Sequence, residues 1–129
     1  MKVRVNLKII EFDQKENIRN TVVDLTTEGM YNDKDDVLIF KEDHKNKMLC
    51  KVTRLPNELL IERTGDYNTK MVIKRNGVSH YDISVKEGNF SIPIYIKSLK
   101  LAYKKYDVEY QTDDDISSLK ERKIVITIL

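Results

Sequence analysis

The chain reads as an all-β protein, an antiparallel up-and-down β-barrel of about 8–10 strands, and three observations predict it. Apolar and polar residues alternate with period two in about ten separate runs, which sorts side chains onto the two faces of a strand. Polar breakers separate the runs at a fairly even interval, and strands joined by short turns must run antiparallel. So many strands would place roughly half of the chain in sheet, well above the ordinary share, an excess that barrels and sandwiches accommodate. Closure also removes the exposed edges of a long open meander.

The first run sets Val3, Val5, Leu7 and Ile9 against Lys2, Arg4, Asn6 and Lys8. Short runs follow at 23–26, 37–40, 48–52, 59–62, 71–73 and 81–85, rich in the β-branched and aromatic residues that suit a pleated surface. Phe90, Ile92, Ile94 and Ile96 then alternate with Ser91, Pro93, Tyr95 and Lys97. Pro93 has no backbone donor, so its strand must place it at a bulge, at an edge or where no ladder bond is required. Runs at 106–110 and 123–128 complete the set. Among the breakers, Asn76 and Gly77 form the strongest hairpin signal, because both tolerate the positive φ of a type I′ turn. Gly65, Gly77 and Gly88 all fall where a strand should reverse, whereas Gly29 lies inside a run and is expected to mark a bulge or a barrel corner. The one helix candidate is 115–120, where Asp115 could cap a turn and Ile116 and Leu119 fall three apart; a long hairpin loop is the alternative.

At 129 residues with 40% hydrophobic content, the chain is expected to be a single domain spanning 1–129. Lys and Arg number 23 against 21 Asp and Glu, a net charge of +2, so the charge solvates the surface rather than building a one-sided field for nucleic acid or anionic membrane. A single cysteine, Cys50, points to a reducing compartment. Residues 1–6 interleave charges with apolar residues, unlike a signal peptide, and no run approaches a membrane span. A cytoplasmic protein without membrane association is the expectation.

Thr27 to Tyr31, Ile39 to Glu42, Arg63 to Gly65, Met71, Gly77, Tyr81 and Gly88, in that order, resemble the YwiB-like family of bacterial proteins, a domain of unknown function. The resemblance spans nearly the whole chain. It implies a calycin-like or lipocalin-like barrel, a cytoplasmic location and no assigned activity, and it transfers no catalytic residue. This chain departs from the family pattern at Ile96, where threonine is usual, and in the 101–105 connection, which is short and lacks the expected glycine.

Arg63 is the leading candidate for chemistry, because it shares a strand face with Leu59 and Ile61 and so points toward the interior. There it could hold the anionic head of a ligand, or pair with a rim carboxylate as a structural group. Tyr31, Tyr81, Tyr106 and Tyr110 could line a pocket or simply supply aromatic bulk to the core. His44, His80 and Cys50 have no chelating spacing, so no metal is expected; His44 reads as part of a solvated turn, and His80 borders a core run. Asp113 to Asp115 lacks the ligand spacing of a calcium loop. With four glycines in the chain, neither a P-loop nor a dinucleotide fingerprint can be assembled, and no cofactor is expected.

These features favour a non-enzymatic barrel that binds either a small apolar or amphipathic ligand inside or a protein partner on its rim, with Arg63, Tyr81, Tyr31, His80 and Tyr110 as candidate ligand-binding residues. Two alternatives come from other classes. One is an enzyme with a dispersed site drawn from Arg63, Tyr81 and His80. The other is a single-strand nucleic-acid module using the basic pairs Lys74 and Arg75, Lys104 and Lys105, and the 120–123 run, a reading that the near-balanced charge disfavours.

Overall fold

The period-two alternation becomes an unbroken antiparallel ladder in the computed structural model, which describes residues 1–13, 16–42, 48–112 and 120–129. Ten strands follow one another: β1 (Lys2–Asp13), β2 (Ile18–Asn32), β3 (Val37–Lys41), β4 (Leu49–Arg54), β5 (Glu58–Thr64), β6 (Asn68–Lys74), β7 (Ser79–Val85), β8 (Gly88–Ala102), β9 (Lys105–Thr112) and β10 (Lys120–Ile128). Each pairs with its neighbours in sequence, and β1 closes on β10 to make a barrel. Among the described residues, no helix is long and apolar enough to cross a membrane.

Register places inward residues opposite one another: Leu7 faces Ile126, Val52 faces Ile61, and Ile61 faces Met71. Their side chains converge on one core in which Val5, Leu38, Val52, Leu59 and Ile73 lose all contact with solvent. Burial of this apolar face is the main favourable term, on the order of 1.5–3 kcal/mol for each fully buried aliphatic side chain. Pro93 pairs with His80 of β7, one residue before β8 begins to pair with β9 at Ile94. It therefore sits where one side of its strand has no ladder bond to lose.

Several local expectations need correction. Gly29 marks no bulge: it pairs in register with Val3 and Phe40, and the β1–β2 irregularity falls between Ile9 and Ile10. A Cβ on Gly29 would lie 2.8 Å from the Ile39 carbonyl oxygen and 3.1 Å from both Phe40 Cβ and Val5 Cγ2, so the residue permits a close approach of β3 and β1 over β2. The turn between β6 and β7 is not type I′, since Gly77 alone takes positive φ there (109°) while Asn76 does not. Phe90 is more than half exposed, because β8 starts beyond the rim of the packed interior. The strand continues through Lys97 to Ala102, with a register shift between Ile96 and Ser98. Where the family pattern expects glycine in the next turn, Lys104 itself takes the left-handed conformation at φ 62°. Apart from Lys120, which opens β10, the 115–120 helix candidate lies outside the described residues, as do His44 and the 113–115 acidic run.

Two substitutions test this backbone reading by chemical denaturation. Gly29→Ala is expected to destabilise the fold by about 1–3 kcal/mol, since the new methyl meets backbone rather than a yielding side chain. Lys104→Gly should cost nothing or stabilise by up to about 1 kcal/mol, as glycine enters the left-handed region without steric penalty. A neutral Gly29→Ala or a clearly destabilising Lys104→Gly would contradict the respective assignment.

Candidate functional site

The interior is packed in one half and hollow in the other. A cavity of about 320 Å³ occupies the end from which the β1–β2, β3–β4, β5–β6, β7–β8 and β9–β10 connections leave. Leu7, Ile61, Met71, Ile124 and Ile126 form much of its apolar wall. The hollow arises because inward positions in this half carry small or polar residues, namely Cys50, Thr69 and Thr112, and a ring of ten strands is too wide for such side chains to fill.

Toward the strand ends the lining turns polar. Arg63, inward at the end of β5, donates from Nε to Glu42 Oε2 at 2.8 Å, and its Nη2 lies 2.7 Å from the same oxygen. Its guanidinium stands 5.8 Å from the Tyr67 ring centroid. Burial acts to lower the Arg63 pKa, but the hydrogen bond and charge of Glu42 more than reverse it, so the group stays cationic. A second pair forms on the opposite wall, where Arg122 Nη2 of β10 approaches Glu11 Oε1 of β1 at 3.0 Å. Tyr81 and Tyr110 also line the cavity. Burial raises the Tyr110 pKa although the Arg122 guanidinium beside it pulls the other way. Two buried atoms of lining residues have no hydrogen-bond partner among the described residues: Thr69 Oγ1 and Arg122 Nε.

Of the residues singled out from sequence, Arg63, Tyr81 and Tyr110 meet at this cavity. The structural alternative for Arg63, a rim carboxylate partner, is the one realised. Tyr31 does not join them. It closes the opposite end, where its hydroxyl and that of Tyr106 both donate to Asp36 Oδ1, at 3.1 and 2.8 Å, with Arg54 Nε 3.8 Å from Oδ2. The reason is register: Tyr31 lies at the end of β2 that pairs with Val3 to Lys2, far along β1 from Ile9 and Glu11. His80 points outward, being opposite Val72 on the face away from Tyr81, and its Nδ1 lies 3.0 Å from Asp82 Oδ1. Ser91 Oγ donates to the same oxygen at 2.7 Å, so the carboxylate stands between histidine and serine, and the weakly basic carboxylate rather than the imidazole receives the serine hydroxyl. Burial would raise the Asp82 pKa, but these bonds from Ser91 and His80 hold it below its usual range.

Cys50 lines the cavity, but burial pushes its thiol far up, foremost, with the Glu42 charge adding to the effect; it is not a ready nucleophile. The basic pairs separate: Lys74 and Arg75 and Lys104 and Lys105 flank turns at the Asp36 end, while the 120–123 run opens β10 at the cavity end. Sequence reasoning missed Glu42, Thr69 and Arg122. The signal for Arg122 was present, since it shares the face of Ile124, Ile126 and Ile128.

Fold and site together define a closed, ten-stranded antiparallel meander barrel with an internal, mixed-polarity cavity at one end. The chain belongs to the family described as Domain of unknown function (DUF1934), whose model matches residues 5–126. The crystal structure of the ywiB protein from Bacillus subtilis is similar over 99% of this chain and 93% of that chain, with a TM-score of 0.66 at 14% sequence identity, a likeness that shows the fold. No curated protein matches the sequence.

The tyrosines give a pH prediction with a definite sign. Burial first, then Asp36, raises Tyr31 to about 12, and burial first also raises Tyr106 and Tyr110. A raised phenol pKa contributes stability that is complete below the ordinary value of 10.0 and is lost as pH climbs through the folded-state value. Near-ultraviolet titration is expected to show the ionisation of Tyr31 delayed to about 12 and that of Tyr106 and Tyr110 delayed in the same direction, accompanied by loss of strand signal in circular dichroism. A single early wave with the fold intact would refute the burial and bonding assigned to Tyr31 and Tyr106.

Proposed function

We propose that this chain is a non-enzymatic, cytoplasmic binding protein that takes up a small amphipathic molecule inside its barrel. The observation that carries the reading is the cavity of about 320 Å³, apolar along its walls and polar toward the strand ends. Ligand pockets of about 300–1,000 Å³ are typical, so this one falls at the small end. A cavity of about 150 Å³ holds benzene, which scales here to a ligand of about twelve non-hydrogen atoms. Its apolar part would lie against Ile61, Met71 and Ile124, with its polar part toward Arg63, Arg122 and Tyr81.

Three features support binding over catalysis: the raised thiol of Cys50, the outward position of His80 and a serine whose neighbour is a carboxylate. The unpaired, buried Cys50 supports a reducing compartment. Ligand-observed NMR with butylbenzene is the direct test. Saturable binding is expected, together with at least a tenfold loss in a folded Cys50→Leu variant whose larger side chain enters the cavity. Absence of saturable binding up to the solubility of butylbenzene, or binding indifferent to Cys50→Leu, would overturn the reading.

A further inference from the structure

Closing the ring does not cover every strand edge, because β2 outruns β3. On one side β2 pairs with β1 from Ile18 to Met30, whereas on the other it pairs with β3 from Gly29 to Asn32. Beyond Phe40 the chain turns away, and Lys41 pairs with Leu49 of β4 instead. Among the described residues, nothing pairs with 18–28 on that side. Alternate residues there present N–H and C=O to the open side, the arrangement that accepts another strand. Lysine and proline, which often blunt such an edge, are missing from 18–28. Val22 is an extra residue that the ladder passes over between Thr21 and Val23, and it leaves 23–28 regular.

The regular stretch has two faces. Val23 packs against the core, while Asp24, Thr26 and Glu28 are exposed on the outer face. On β1, Lys8 stands opposite Asp24. A cation on an added strand would continue that alternation of charge across the sheet, whereas an anion would meet the carboxylate directly. Where β2 and β3 part, an open groove of about 880 Å³ is lined by Thr26, Glu28, Met30, Lys41 and Leu49 among others. Met30 and Leu49 are 52% and 39% exposed, so the groove offers an apolar seat at the start of the open edge.

A second copy of this chain does not fit the stretch. Two identical strands pair antiparallel about a dyad. A dyad on Leu25 or nearer β3 sets residues of the copy opposite Gly29, which Phe40 already holds. One on Asp24 opposes two aspartates. Closer to the hairpin tip, the pairing runs through Val22, where the extra residue inverts the faces. A short segment of a different protein meets none of these obstacles.

We propose that the open edge of β2 docks an extended segment of another protein, which adds antiparallel to 23–28 and continues the course of β3. Its recognition elements are a basic residue opposite Asp24 and, four positions earlier, an apolar residue seated in the groove beside Met30 and Leu49. This site lies on the outer surface and does not depend on a ligand inside the barrel.

Amide NMR of the whole chain with the end-blocked hexapeptide Leu-Ile-Thr-Val-Lys-Val tests this. Saturable shifts are expected at 23–30 and around Leu49. Replacing the peptide lysine by glutamate should weaken binding at least about fivefold, and Asp24→Lys, at an exposed position, should reverse that preference. N-methylation of alternate peptide nitrogens should abolish binding, since main-chain bonds supply the affinity. No saturable shifts at millimolar peptide, shifts centred elsewhere, or equal binding of the glutamate or N-methylated peptide would overturn the proposal. Concentration-dependent dimerisation that shifts the same amides without peptide would assign the edge to a second copy and overturn it equally.

Discussion

Everything in this molecule depends on the ladder between β1 and β10. Val5 to Phe12 pair continuously with Glu121 to Ile128, joining the two ends of the chain and converting a meander with two free edges into a ring. The ring gives each strand an inside. Without it, Val5, Leu7, Ile126 and Ile128 would lie on an open sheet, and the hydrophobic gain that offsets chain ordering would be forfeited where the termini meet. A further backbone bond holds the same seam, Leu129 N donating to the Arg4 oxygen at 2.8 Å, while Tyr31 N, donating to the Met1 oxygen at 2.9 Å, extends the neighbouring β1–β2 pair.

A ring of ten strands encloses more volume than aliphatic side chains fill by default, and the two ends of this barrel handle the excess differently. At the Asp36 end, long side chains reach inward and one carboxylate gathers two tyrosine hydroxyls, with Arg54 beside it. Asp36 achieves this from the left-handed conformation at φ 51°, in the turn between β2 and β3. Strain there is offset by satisfying two hydroxyls at once. The other end carries Cys50, Thr69 and Thr112 inward, and the missing bulk is the cavity. The same strands are thus plugged at one end and hollow at the other because of a handful of side-chain sizes.

Much of this was legible in the sequence. Alternation located a run in every strand, and face parity placed Arg63 inside; the same parity followed along β7 separates Tyr81 from His80, although the sequence reading grouped the two as ligand candidates. What parity cannot supply is height along the barrel axis. Tyr31 and Tyr110 both face inward, yet lie at opposite ends, because that depends on cumulative register around the whole ring. Phe90 shows the same gap: it has the parity of Ile92 and Ile94, but sits past the rim. Arg122 was readable and overlooked, since the 120–123 run reads as a basic cluster when charges are counted and as an inward arginine when every second residue is followed. Thr69 was hidden differently, as a short polar residue ahead of Met71 and Ile73 that marks a strand start as readily as a lining position.

The bulge in β8 shows how a local irregularity serves the closed ring. Ile96 pairs with Tyr110 and Ser98 with Glu109, so Lys97 is an extra residue that the ladder passes over. Inward parity changes there, from Ile94 and Ile96 before it to Leu99 and Leu101 after it, and each of these faces an inward residue of β9. The extra residue is not idle. Lys97 Nζ contacts Glu121 Oε1, which also accepts from Gln111 Nε2 at 2.7 Å. Glu121 is 5% exposed on the outer side of β10, next to Phe12 of the seam. A carboxylate buried to that degree is tolerable only with a cation and a donor in contact. The insertion of one lysine therefore resets the register of β8 so that Leu99 and Leu101 reach the core, and supplies the charge that lets Glu121 lie buried beside the strand pair that closes the barrel.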